Sequence, residues 1–174
     1  MATIFLNTVN IGYDTFVTTE MTVRIIGTTI KHHFTFPHGV NVNELTQRQK
    51  KSFNSSMQMN GTENFESNGF ENVDEALLWT FNHIFNGNTI YTKGEIQAQY
   101  IKHAVVRANK SYNVEEIGKT GFPSFKFMEQ LIRAEPCQYH AYMNQTQKEF
   151  CTKYRCELVG NYTGVHNWII GHGM

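Results

Sequence analysis

The stretch that decides the fold runs from Val17 to Phe36: Val-Thr-Thr-Glu-Met-Thr-Val-Arg-Ile-Ile-Gly-Thr-Thr-Ile-Lys-His-His-Phe-Thr-Phe. Val17, Thr19, Met21, Val23 and Ile25 alternate with Thr18, Glu20, Thr22 and Arg24. After the break at Gly27-Thr28 the pattern resumes, with Ile30, His32, Phe34 and Phe36 opposite Lys31, His33 and Thr35. A period of two belongs to half-buried strands. Gly27-Thr28 as a two-residue loop, glycine first, suits a type II′ hairpin. That reversal sets Ile25 against Ile30, Val23 against His32 and Met21 against Phe34. All the apolar partners then share one face, so turn and pattern support the same register. Pro37 ends the hairpin.

Outward from this hairpin, residues 3–11 read as a strand closed by Gly12-Tyr13-Asp14. Val40 to about Met57 reads as a polar helix, and residues 54–72 show no period, which predicts a long, mobile loop. Four helices are then expected. Asn72-Val-Asp-Glu75 opens the first, with Leu77, Leu78, Phe81, Ile84 and Phe85 inward, and Asn86-Gly87 stops it. Thr92-Lys-Gly-Glu95 opens the second, with Ile96, Tyr100, Ile101, Ala104, Val105 and Ala108 inward. Asn113-Val-Glu-Glu116 starts a short third, broken at Gly118-Lys-Thr-Gly121. Ser124 caps the fourth, with Phe127, Met128, Leu131 and Ile132 inward. Residues 144–155 predict one more helix, and 156–170 one or two strands. The expectation is a single α+β domain over 1–174. It comprises an N-terminal antiparallel β-hairpin or meander at about 3–36, central helices at about 73–135, then a C-terminal helix and a returning strand.

Composition bounds the function. Among 174 residues, 15 basic and 15 acidic side chains cancel, and the pI is near 7.1. A broad polycationic nucleic-acid surface is thereby excluded. No apolar run approaches the roughly 20 residues that span a bilayer, so no membrane partner is expected. The first residues carry no signal-peptide pattern, which predicts an intracellular, cytoplasmic protein. Seventeen Asn and 18 Thr against 6 Leu are the bias of AT-rich coding DNA, and point to a small phage or other viral protein in host cytoplasm or virion. With only Asp14 and Asp74 as aspartates, an Asp-built Mg or Ca cage is not expected.

The hairpin register places Arg24 opposite Lys31, Thr22 opposite His33 and Glu20 opposite Thr35. Two cations facing each other are destabilising unless something anionic lies between them. Arg24 and Lys31 would clamp a phosphate, helped by Thr22 and by His38 at the open end. His33 would exchange protons, with Glu20 orienting it and Thr35 on the same strand face. Here the catalytic candidates are His33, Glu20 and Thr35, and the ligand-binding candidates Arg24, Lys31, Thr22 and His38. The competing interpretation is a solvated outer face. His33-Phe34-Thr35-Phe36 has the form used in pairs by two-histidine phosphoesterases, but no second copy occurs.

Cys137-x2-His140 and Cys151-x4-Cys156, with His166 and His172 beyond, place Cys and His at the density of zinc ligands. The intervals fit no common finger and Cys151 lies on an inner face, so buried thiols, no metal and no cofactor are expected. Residues 113–132 resemble the middle of a helix-turn-helix, but the second helix offers only Lys126 and Arg133 as cations; nucleic acid is not the expected partner. Function by protein contact is expected, with a protein partner or a second copy of the chain, as in a virion component or host-factor inhibitor. The alternative is a small enzyme or sensor for a phosphorylated or nucleotide ligand on the hairpin face, with the 54–72 loop as its lid.

Overall fold

A computed structural model describes residues 1–12, 15–62 and 65–166. Expectations placed on Tyr13 and Asp14, on Trp168 and His172, and on strand residues 167–170 lie outside the described residues. The architecture is α+β around one mixed sheet. Strands β1 (Ala2–Ile11), β2 (Thr15–Ile25), β3 (Lys31–Thr35), β4 (Thr89–Thr92) and β5 (Asn113–Glu116) lie in the order β3-β2-β1-β4-β5. The first three pair antiparallel, while β4 joins β1 and β5 joins β4 in parallel.

Central β1 is buried on both faces, as a strand between two layers must be. Its even residues Ala2, Ile4 and Leu6 join Met21, Val23 and Phe34 under helices α2 (Val73–Trp79) and α3 (Glu95–Arg107). The odd residues face the other way. Phe5 packs with Leu158 and Val159 of α6 (Thr152–His166), and Val9 and Ile11 pack with Phe53 and Met57 of α1 (Gln47–Asn60). Among the described residues no helix is long and apolar enough to cross a membrane.

The hairpin has the expected pairing: Glu20 opposite Thr35, Met21 opposite Phe34, Thr22 opposite His33, Val23 opposite His32 and Arg24 opposite Lys31. Its turn differs in one respect. Thr28 N–H donates to the Ile25 carbonyl at 3.3 Å, so Gly27, with φ +82°, is third in the turn. Only a residue without Cβ takes that conformation at no cost. A bulge also interrupts β2: Asn7 pairs with Glu20 but Thr8 with Thr18. The extra residue flips the alternation, so Val17 packs against the α1 cluster instead of joining Met21 and Val23.

Four expectations are corrected. The tail read as strands is helical from Thr152 to His166. Its buried Thr152, Cys156, Val159 and Thr163 recur at helical spacing, and burying that stripe on the sheet outweighs the strand preference of Thr, Val and Tyr. Asn113–Glu116 is strand β5, because Val114 pairs with Ile90 in the core. A helix-turn-helix over 113–132 is therefore replaced by a strand, a 3-10 turn at Ile117–Thr120 and helix α4 (Phe125–Leu131). Residues 54–60 belong to α1, which ends at left-handed Gly61. Beyond it, Glu66 and Asn68 strap the edge of β3, where Thr35 Oγ1 donates to the Glu66 carbonyl and Thr35 N–H to Asn68 Oδ1. Finally, Leu78, Ile96, Phe127 and Leu131 are exposed and not inward. A π-turn at Thr80–Ile84 breaks the period after α2, and α3 and α4 each bury a narrower stripe than their apolar content suggests.

Candidate metal centre

The polar face of the hairpin lies under α6. Glu20, Thr22 and Thr35 are fully buried, and partners reach them from the far end of the chain. Thr22 and Thr152 share a hydrogen bond of 2.8 Å between their hydroxyls. Arg24 Nη1 donates to Asn161 Oδ1 at 3.1 Å, and Lys31 is paired with Glu157. The two cations expected to need an external anion each have an internal partner. His33 Nε2 is 2.7 Å from Glu20 Oε2, so that contact was legible from the strand register. His38 lies elsewhere: its Nδ1 accepts from Val40 N–H and its ring packs edge-on to Phe53 of α1.

Around Glu20 the structure assembles residues that the sequence separates widely. Pro136 leads into a tight turn in which His140 N–H donates to the Cys137 carbonyl, and this turn projects both side chains the same way. Cys137 Sγ is 3.2 Å from His140 Nδ1. Cys151, between α5 (Gln145–Glu149) and α6, donates from Sγ to Glu20 Oε2 at 3.6 Å. His140 Nδ1 is 3.7 Å from the same carboxylate oxygen. One ligand atom from each of Glu20, Cys137, His140 and Cys151 lies within 4.8 Å of all the others. Phe65 covers the cluster, with its ring against those of Tyr139 and His140.

These separations can be compared with a tetrahedral zinc site. Bonds of roughly 2.3 Å to sulfur and 2.0–2.2 Å to nitrogen and oxygen give tetrahedral edges of about 3.3–3.8 Å. The distances of 3.2, 3.6 and 3.7 Å fall close to that range.

The surrounding hydrogen bonds are also those of a ligand set. His140 Nε2 donates to the Asn60 carbonyl at 2.7 Å, which leaves Nδ1 with its lone pair toward the cluster. Cys151 Sγ also accepts from the Cys137 amide at 3.1 Å. Thr152 N–H, in the first turn of α6, donates to Glu20 Oε1 at 2.9 Å.

Electrostatics hold Glu20 ionised but favour the protonated forms of His140 and Cys151, whose protons a metal would have to displace. Burial opposes ionisation of Glu20, yet His33, His140 and the Thr152 amide more than compensate and hold its pKa below the ordinary value. Burial also disfavours a charged His140, but Cys151, Glu20 and the Asn60 carbonyl raise its pKa. The Cys151 thiol is pushed far up by burial, the Cys137 sulfur and the Glu20 charge, so without a cation it stays protonated. A divalent ion would convert it to thiolate, as metals do with coordinating thiols.

Cys156 is not part of the cluster; its Sγ faces the Thr22 carbonyl and the Thr3 hydroxyl. The strand register places Glu20 beside His33, but its approach to the two cysteines has no local signal. Cys137-x2-His140 was the one spacing that could have indicated the centre. No protein-family model matches the chain, and no curated protein matches it in sequence.

Proposed function

We propose that this chain is a zinc-class metal-binding protein in which Glu20, Cys137, His140 and Cys151 hold one structural ion. The observation that carries the reading is the convergence of four buried ligand atoms from three separate segments: β2, the 137–140 turn and the start of α6. Cys2HisGlu is a borderline-soft donor set of the kind zinc accepts, and four protein ligands leave no position for substrate. The ion's task is mechanical. It ties the N-terminal hairpin to the C-terminal third, where the loop 136–144 has little regular structure of its own. The thiols are buried as expected, and on this reading two of them are also ligands.

Metal analysis of protein purified under reducing conditions tests the reading. One equivalent of zinc per chain is expected, and cobalt substitution should give thiolate-to-metal charge-transfer and tetrahedral visible bands. Cys151→Ser and His140→Asn should each lose the metal. Absence of stoichiometric metal even after zinc addition, or its retention in both variants, overturns the proposal.

A further inference from the structure

Strand β4 pairs with β1 only at Ala2 and Thr3, after which the chain leaves for α3. From Leu6 onward that edge of β1 has no neighbouring strand among the described residues. Gln97, in the first turn of α3, substitutes for one: Leu6 N–H donates to its Oε1 at 3.1 Å, and its Nε2 donates to the Leu6 carbonyl at 2.7 Å. Beside it lies a pocket of about 240 Å³ bordered by Asn7, Asn10, Ser56, Phe150 and Arg155. It flanks the second half of β1, on the stretch that β4 leaves uncovered.

Two of the bordering groups have unmet bonding capacity. Asn7 is 3% exposed, and its amide nitrogen meets no acceptor among the described residues; a buried donor left without an acceptor is costly. Arg155 donates from Nε to the Glu149 carbonyl at 2.8 Å, and its guanidinium lies 5.2 Å from the Phe125 ring and 5.1 Å from that of Phe150. No described carboxylate comes within ion-pair distance of it, although six other ion pairs occur among the described residues. Glu20, the buried acid whose charge acts on it, is already engaged by Thr152 N–H and His33. Ser56 Oγ accepts from the Asn10 amide at 3.1 Å and keeps its own proton to donate.

We propose that this pocket binds a phosphate group, held by the Arg155 fork with Asn7 and Ser56 as neutral donors. Planar guanidinium matches phosphate oxygens two at a time, and neutral donors complete the shell without adding charge. The volume is below the roughly 300–1,000 Å³ of drug-sized pockets, so inorganic phosphate or a small phosphomonoester fits better than a whole nucleotide. The inference goes beyond the metal reading and does not rest on it: none of the four metal ligands borders the pocket. It also moves the expected phosphate chemistry from Arg24 and Lys31 to a cation that has no ion pair among the described residues.

Titration calorimetry at constant ionic strength tests this with inorganic phosphate, glycerol 3-phosphate and adenosine monophosphate, and with acetate as a carboxylate control. Saturable one-to-one binding of phosphate or glycerol 3-phosphate is expected, with acetate much weaker. Tighter binding of glycerol 3-phosphate would assign an ester ligand, and tighter inorganic phosphate the free ion. Arg155→Gln should weaken binding by about tenfold or more, and Arg155→Lys should recover part of the loss. Because Arg155 also packs on two rings, Asn7→Leu provides a second reading: several-fold weaker binding with unchanged or higher thermal stability. No saturable phosphate binding, acetate binding as tight as phosphate, or binding unchanged in both Arg155→Gln and Asn7→Leu overturns the proposal.

Discussion

Gly160 lies inside α6 on the side that meets the hairpin, and substituting it tests how closely helix and sheet approach. A Cβ added there would lie 2.5 Å from Arg24 Cζ and 2.6 Å from Arg24 Cδ. Alanine in a helix interior is favoured over glycine by about 0.8–1 kcal/mol. Against that gain, Arg24 must swing away and surrender its 3.1 Å bond to Asn161. A hydrogen bond to a charged group contributes roughly 1.5–3 kcal/mol, and partial exposure of both residues places this one near the lower end. Adding the lost packing of the arginine stem, Gly160→Ala should destabilise the protein by about 1 kcal/mol, or lower Tm by about 2–4 °C. In an Arg24→Ala background the obstacle is gone, and the same substitution should stabilise by about 1 kcal/mol. Urea unfolding of all four proteins gives the coupling, expected near 2 kcal/mol. If Gly160→Ala shifts stability equally in both backgrounds, α6 does not seat on Arg24 as described.

Further outcomes follow from the same geometry. Thr22→Val should cost about 1–3 kcal/mol by stranding the buried Thr152 hydroxyl, whereas Thr22→Val with Thr152→Val should come close to neutral in chemical unfolding. Glu116 accepts amide protons from Gly94, Gly118 and Lys119; burial alone would raise its carboxyl, but these donors and the Lys93 charge hold it below its ordinary 4.5. Its stabilising contribution is therefore complete above about pH 4.5 and lost as pH falls through the lower folded value, so Glu116→Gln should flatten the acid limb of the stability profile. Chelation of the proposed zinc should lower stability, and with it Tm, by about 2.7 kcal/mol where free metal had stood at a hundredfold excess over Kd. All three cysteines are buried, so thiol reagents should label none in the metal-loaded protein and three after unfolding.

Local physics made part of this molecule readable in advance. Alternation over residues 20–24 and 31–35 and a glycine at the reversal determined the hairpin register residue by residue, because side-chain period and turn closure act over a few positions, whereas the bulge that turns Val17 to another cluster left no such sign. Asn72, Ser124 and Asn144 each cap the helix they were expected to start, since a cap needs only an amide two or three residues on. Tertiary structure decided the rest. Short strands β4 and β5 exist because Ile90 and Val114 complete a core begun at residue 2, and Cys156, Val159 and Thr163 are helical because a sheet face lay ready to bury them. The metal centre depends on the same long-range packing. Nothing near Glu20 in sequence specifies Cys137, His140 or Cys151, and only laying α6 across β2 brings the carboxylate to the two sulfurs and the imidazole.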